Sequence, residues 1–211
     1  MAGTTVRHPI FARLYARLSP GVERKGGAEH RDELLAGAAG RVIEVGAGNG
    51  LNFAHYPPAV TEVIAVEPEP YLRDRAAQAA AHAPVPVRVV DGVAQRLPAE
   101  DGEFDAAVAS LVLCSVPDQA AALAEIRRVL NPDGELRFYE HVVSDRPRTA
   151  RIQHALDDWR IWPRVSGGCH AARDTAAAIE AAGFTIERCR RFPFAAGPVA
   201  LPHIIGVARP R

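Results

Sequence analysis

Three glycines at alternate positions, Gly46, Gly48 and Gly50, follow directly on the apolar run Val42-Ile43-Glu44-Val45. Such a segment reads as a strand leaving a sheet through a tight turn, since glycine lets the backbone bend sharply and approach a ligand without a Cβ in the way. From about Arg41 onward, short β-branched runs alternate with Ala-rich helical stretches, the pattern of a parallel sheet with helical crossovers. The spacing predicts strands at 41–45, 62–66, 86–90, 104–109 and 135–140. Helical stretches fall near 50–56, 70–82 and 118–130, and in the last of these Leu123, Ile126 and Leu130 share one face before Pro132 and Gly134 force a turn. A further helix near 171–182, closed by Gly183, precedes strand-like runs at 184–189 and 203–208, which together read as an antiparallel hairpin. The first 40 residues read as two helices, about 8–18 and 21–37, broken at Ser19-Pro20-Gly21. The stretch 141–170 is polar, holds Trp159 and Trp162, and lacks strand character.

Bulk properties narrow the class further. With 211 residues, 48% hydrophobic and 24% charged, the chain has the balance of a globular domain. Its formal net charge is zero, so nothing at whole-chain level points to nucleic acid or an anionic membrane. The opening MAGTTVRHPIFARLYARL has no apolar core of signal-peptide length, and no window approaches a membrane span. Cys114, Cys169 and Cys189 are odd in number and without CxxC spacing, which argues against a disulfide framework and a zinc site alike. No metal is expected, and the expected compartment is a reducing cytoplasm. The arginines at 146, 148 and 151, and at 188, 190 and 191, read as a solvated surface and leave peripheral contact with anionic lipid open.

The glycine spacing separates two nucleotide readings. Dinucleotide binders use GxGxxG, whose third glycine would fall on Leu51; the pattern here is ExGxGxG. Glu67-Pro68 closes the second strand, where an acid can accept hydrogen bonds from both ribose hydroxyls; a plain surface acid is the alternative. The sole lysine, Lys25, precedes the first strand, and no Tyr-x-x-x-Lys pair is present, which counts against an NAD-dependent oxidoreductase.

The ordered set ExGxGxG, Glu67-Pro68, Gly92-Val93-Ala94-Gln95-Arg96-Leu97-Pro98, a strand opening Phe104-Asp105, SLVL, and EIRRVLNPDGEL resembles the class I S-adenosylmethionine methyltransferases over residues 40–140. It is most similar to the branch that includes the ubiquinone and menaquinone methyltransferases. VGAGNGLNFAHYP, SLVLCSV, FYEHV, the Gly-Cys before the 171–182 helix and the closing PHIIGVA resemble more closely the small methyltransferase-like proteins that include the mammalian alkyl thiol methyltransferases. Two departures stand out: the apolar N-terminal anchor of those mammalian proteins is not matched here, and Val93 stands where many of the wider family place Asp.

The resemblance implies an α/β fold, with a Rossmann-like, seven-stranded, mostly parallel sheet, helices on both faces and a C-terminal antiparallel hairpin. It implies one methyltransferase domain over 1–211: a helical cap at 1–40, a cofactor-binding core at 41–140, an acceptor-covering region at 141–170, and a helix and hairpin at 171–211. The implied cofactor is S-adenosyl-L-methionine. Gly46, Ala47, Gly48, Asn49 and Gly50 would pass under its methionine and ribose parts, Glu67 and Pro68 would meet the ribose, and Val93 and Ala94 would flank the adenine. Ser110 and Leu111 would approach the methionine end. Glu44 would anchor the loop, receive the ammonium, or cap backbone amides of the same loop. Asp91 is at least as well read as a turn former.

Methyl transfer from a sulfonium is an in-line displacement that needs chiefly position and exclusion of water. A thiol acceptor would also need help to ionise. His141, directly after the fifth strand, has the intrinsic pKa of a base, and a hydrogen-bonded structural histidine is the alternative. Cys114 reads as a small buried side chain. The expected acceptor is a small molecule, an alkyl thiol first, then a quinone-type or other apolar molecule, with a non-catalytic S-adenosylmethionine-binding module as the remaining possibility. Arsenite would require the cysteines to converge in space.

Overall fold

A computed structural model describes residues 9–195 and 200–211. The first eight residues of the expected cap, and residues 196–199 between the last two strands, lie outside the described residues. Seven strands form one sheet in the order β3-β2-β1-β4-β5-β7-β6. They are β1 (Gly40–Val45), β2 (Val60–Val66), β3 (Val87–Val90), β4 (Phe104–Ser110), β5 (Leu130–His141), β6 (Phe184–Phe194) and β7 (Leu201–Pro210). All neighbours are parallel except β5–β7 and β6–β7. The mostly parallel sheet with its terminal antiparallel hairpin is the architecture the sequence implies.

Side chains alternate faces along each strand, so the sheet builds two cores. Ile43, Val45, Ile64, Ala107, Ala109 and Phe138 meet the apolar stripe of α4 (Gln119–Val129), namely Leu123, Ile126 and Val129, together with Ile179 of α7 (Thr175–Ala181). On the other face, Val42, Val63, Ala65, Ala106, Val108 and Tyr139 pack under Leu34 and Leu35 of α2 (Ala28–Leu35) and Ala76 of α3 (Pro70–Ala80). β1 has β2 on one side and β4 on the other, so chain direction across the sheet reverses there. Ligand crevices in open α/β sheets form at such a switch point, outside the carboxyl ends of the strands. The loops after β1 and β4 therefore face one cleft.

Four expectations need correction. The stretch 50–56 is not a helix but one 3-10 turn, Phe53–His55, because Pro57 and Pro58 exclude the continuation of a helical run. The break expected at Ser19-Pro20-Gly21 is absent: α1 (Pro9–Val22) runs through Pro20, and the kink falls at Gly26, φ 111°, within the π turn Glu23–Gly27. The segment 141–170 is largely helical, as α5 (Pro147–Asp158) and α6 (Ile161–Val165). The buried residue of α5 is Gln153, which accepts from the Ser144 amide and donates to the carbonyls of Val142 and Ala171, so no apolar stripe betrays this helix. Finally, β6 and β7 are longer than 184–189 and 203–208, and α7 starts at Thr175 because Asp174 caps the Ala177 amide.

Candidate active site

The loop after β1 owes its shape to its glycines. Gly46, Gly48 and Gly50 all have positive φ, at 70°, 58° and 81°. A Cβ on Gly46 would run into the Val112 side chain, and one on Gly50 would meet Phe53 and Ala79 at 2.7 and 2.9 Å, so both positions exclude larger residues by packing. Gly48 is different: its open side faces the Tyr15 ring of α1 at 3.5 Å. Asn49 donates to Ser19 Oγ at 3.0 Å, and its Oδ1 is buried without a hydrogen-bond partner among the described residues.

Glu67, at the end of β2, is buried and turns back toward this loop. Its Oε2 accepts from the Gly48 amide at 2.7 Å and its Oε1 from the Glu69 amide at 2.9 Å. Burial pushes the carboxyl up to about 7 despite those bonds. Pro68 offers its carbonyl to Arg73, which also pairs with Asp91. Beyond β3, the segment carrying Val93 and Ala94 is bridged Val93–Arg96, and its Leu97 amide donates to Glu125 of α4.

Glu44 lies on β1, fully inside. It caps no loop amide: its oxygens accept from Asn52 Nδ2 at 2.9 Å and Tyr56 hydroxyl at 2.7 Å. Burial lifts it to about 7. Next to it, the buried guanidinium of Arg31 from α2 donates to Glu23 at 2.9 Å, Asn52 Oδ1 at 2.6 Å and Ser110 Oγ at 3.4 Å. The Tyr15 hydroxyl interacts electrostatically with the same guanidinium. A buried cation and a buried acid thus stand side by side at the end of β1, linked through Asn52. Arg31, Tyr15, Asn52 and Tyr56 were not singled out by sequence reasoning: Asn52 and Tyr56 lie within the run VGAGNGLNFAHYP without a role of their own, and Arg31 and Tyr15 fall outside any motif.

The turn after β4 is fixed by one carboxylate. Glu140 of β5 accepts from the amides of Val112 and Leu113 through Oε1, at 3.0 and 2.9 Å, and of Cys114 through Oε2 at 3.1 Å. Leu111 is held at φ 58°, a left-handed conformation that costs a non-glycine residue on the order of 1 kcal/mol.

His141 ends β5 and is buried. Its Nδ1 lies 3.5 Å from Cys169 Sγ, while its Nε2 is buried with no hydrogen-bond partner among the described residues. Burial holds its pKa down at about 4, so the ring is neutral at pH 7. It pairs across strands with His203 of β7, and the Trp162 ring lies 6.4 Å from it. Trp162 points inward; Trp159 is 71% exposed and lines no buried acceptor site. Asp157 accepts from the amides of Ala171 and Ala172, which explains its place in the fold without chemistry. No group of three or more metal-ligating side chains occurs among the described residues.

A cleft at the switch point, a glycine turn, an acid facing it from β2, and a paired cation and acid at its floor fit an adenosine joined to an amino acid. The partnerless Asn49 Oδ1 and the buried Glu67 facing the glycine turn are the chain's own marks of that fit. Comparison with known proteins agrees. The family described as Methyltransferase domain matches residues 43–138. Thiol S-methyltransferase TMT1B of Homo sapiens is 33% identical over 94% of this chain and 85% of that protein. Demethylmenaquinone methyltransferase of Deinococcus radiodurans is 33% identical over 63% of this chain and 56% of that protein. A methyltransferase structure from Bacillus halodurans superposes with TM-score 0.73 at 16% identity, over 88% of this chain and all of that one. Fold and site together define a class I S-adenosylmethionine-dependent methyltransferase. Within that class the chain belongs to the methyltransferase family that contains thiol S-methyltransferase TMT1B.

Proposed function

We propose that this methyltransferase acts on small thiols, with His141 as the base that receives the thiol proton. The observation that carries the reading is the partnerless, buried Nε2 of a neutral histidine at the carboxyl end of β5. With Nδ1–H directed at the Cys169 sulfur, Nε2 keeps its lone pair to accept a hydrogen bond from the thiol and to take its proton as the sulfur attacks the methyl group. The thiol S-methyltransferase activity of the human relative supports the same substrate class.

Bound S-adenosylmethionine supplies an electrophilic methyl group on a sulfonium. The chain's part is to hold both ends of that molecule. Gly46, Ala47, Gly48, Asn49 and Gly50 give the close backbone approach, Glu67 with Pro68 takes the ribose hydroxyls, and Val93 and Ala94 flank the adenine. Ser110 and Leu111 border the methionine end, whose carboxylate and ammonium match Arg31 and Glu44. The partner is a small molecule rather than a nucleic acid, in keeping with zero net charge, and free cysteines suit a cytoplasmic setting. Among the described residues no helix is long and apolar enough to cross a membrane. Peripheral contact is left to Ile10, Leu14 and Leu18, exposed along α1.

The test is product formation from a short alkyl thiol by wild type and His141→Asn. Wild type yields the methyl thioether; the variant loses about a hundredfold at pH 7 with unchanged affinity for S-adenosylhomocysteine. The deficit shrinks as pH approaches the thiol's own pKa. No thioether from wild type, or full activity in the variant, overturns the reading.

A further inference from the structure

Cys114 sits in the turn after β4 and Cys169 follows α6, 55 positions later, yet the fold brings them together. The amide of His170 donates to the Cys114 carbonyl at 2.8 Å. The peptide joining Cys169 to His170 therefore lies against the Cys114 carbonyl. The Cys114 and Cys169 thiols are near enough to shift one another's acidity. Cys114 is fully buried, whereas Cys169 is partly exposed. Around the Cys169 sulfur stand His141 Nδ1 at 3.5 Å and the inward-turned Trp162, and its S–H reaches the His170 carbonyl at 3.9 Å.

The two thiols are unequal. Interaction with Cys114 holds the Cys169 thiol below its usual range, while interaction with Cys169, together with burial, pushes Cys114 well above it. An accessible thiol of enhanced acidity backed by a buried second thiol is the arrangement that attacks a disulfide and then resolves the product. Neither sulfur has a metal to hold among the described residues, and neither is needed for methyl transfer from a sulfonium.

We propose that Cys114 and Cys169 form a second reactive site beside His141, a dithiol that reduces small-molecule disulfides by exchange. The Cys169 thiolate attacks one sulfur of RS–SR, forming a Cys169–S–S–R bond and releasing RS⁻. The Cys114 sulfur then attacks Cys169 Sγ, breaking the bond to R; its proton leaves with the second RS⁻, and the Cys114–Cys169 disulfide closes. One dithiol and one disulfide become one protein disulfide and two small thiols, the two electrons coming from the cysteines. A further turnover needs an external thiol reductant. The exchange draws on no cofactor and stands whether or not the methyl acceptor is a thiol.

The experiment uses 2,2′-dithiodipyridine as the small disulfide, with the reduced full chain carrying Cys189→Ser to silence the exposed cysteine, and with S-adenosylmethionine left out. The expected result is complete conversion at equimolar probe: both thiopyridone equivalents appear, the intact mass falls by two hydrogens with no adduct, and a Cys114–Cys169 linked peptide is recovered. Cys114→Ser stops after the first release and keeps the pyridylthio group on residue 169. Cys169→Ser slows the first release by at least about tenfold, since Cys114 is buried. A stable adduct on Cys169 with Cys114 present, or separate adducts on both cysteines, overturns the proposal. Melting curves of the two serine variants show that each still folds.

Discussion

Arg31→Met removes the one charge that α2 lends to the floor of the cleft, and its effect divides by ligand. In the free protein the substitution deletes the bonds to Glu23, Asn52 and Ser110 at 2.9, 2.6 and 3.4 Å. Asn52 keeps Glu44, and the Glu23 side chain, 17% exposed, can turn to water. The folding cost should therefore stay near about 2 kcal/mol, or roughly 4–8 °C in melting temperature for a chain of this size. In the complex, Arg31 is assigned the methionine carboxylate. Losing a charge-assisted hydrogen bond to it is worth about 1.5–3 kcal/mol, which is roughly 10- to 150-fold in Kd. Calorimetric titration with S-adenosylhomocysteine should show that loss, whereas 5′-methylthioadenosine, which lacks the amino-acid end, should bind the variant as it binds wild type. Arg31→Lys should fall between, since it keeps the charge and loses the fork. Equal weakening for both ligands would mean that Arg31 acts through the shape of the loop, and no weakening for either would place the amino-acid end elsewhere.

Two further outcomes follow from the same coordinates. Gly46→Ala forces a side chain to φ 70° and into Val112, so thermal unfolding should show a loss of about 2 kcal/mol or more; an unchanged melting temperature would contradict the packing described. Glu67 is raised from 4.5 to about 7 in the fold, so the native state holds a proton there that the unfolded chain has released, and the group's contribution is lost as pH rises through 7. Urea unfolding of wild type and Glu67→Gln should then diverge between pH 5 and 8, with the variant gaining relative to wild type by at most about 3 kcal/mol. The buried histidines titrate with the opposite sign and cancel in that difference, so a constant gap would refute the assignment.

The sheet could be read from the sequence because its strands are buried on both faces, which forces near-continuous apolar runs such as Val42–Val45 and Ala106–Ala109. The glycine turn and Glu67 were legible for a related reason: backbone conformation and strand-end position restrict residue type. The helices within 141–170 were not. α5 buries Gln153 and is fastened by side-chain hydrogen bonds from Gln153 and Asp157, which leave no periodic signature. Pro20 misled in the other direction, being carried within α1 while the chain turned at Gly26. Arg31 and Glu44 became meaningful only together, and their partnership spans α2 and β1 through Asn52, a contact no local pattern encodes.

The position of β7 bears on how the molecule comes into being. β6 precedes it in the chain, but its only partner is β7, which lies between β6 and β5. During synthesis β6 emerges with no strand to pair with, and an 11-residue ribbon must wait beside the parallel core until residues 201–210 arrive and insert. His203, the cross-strand partner of His141, comes with that last strand. A nascent chain can therefore own its glycine turn and Glu67 well before it owns the strand beside His141. Nucleotide affinity and catalytic competence should mature at different chain lengths.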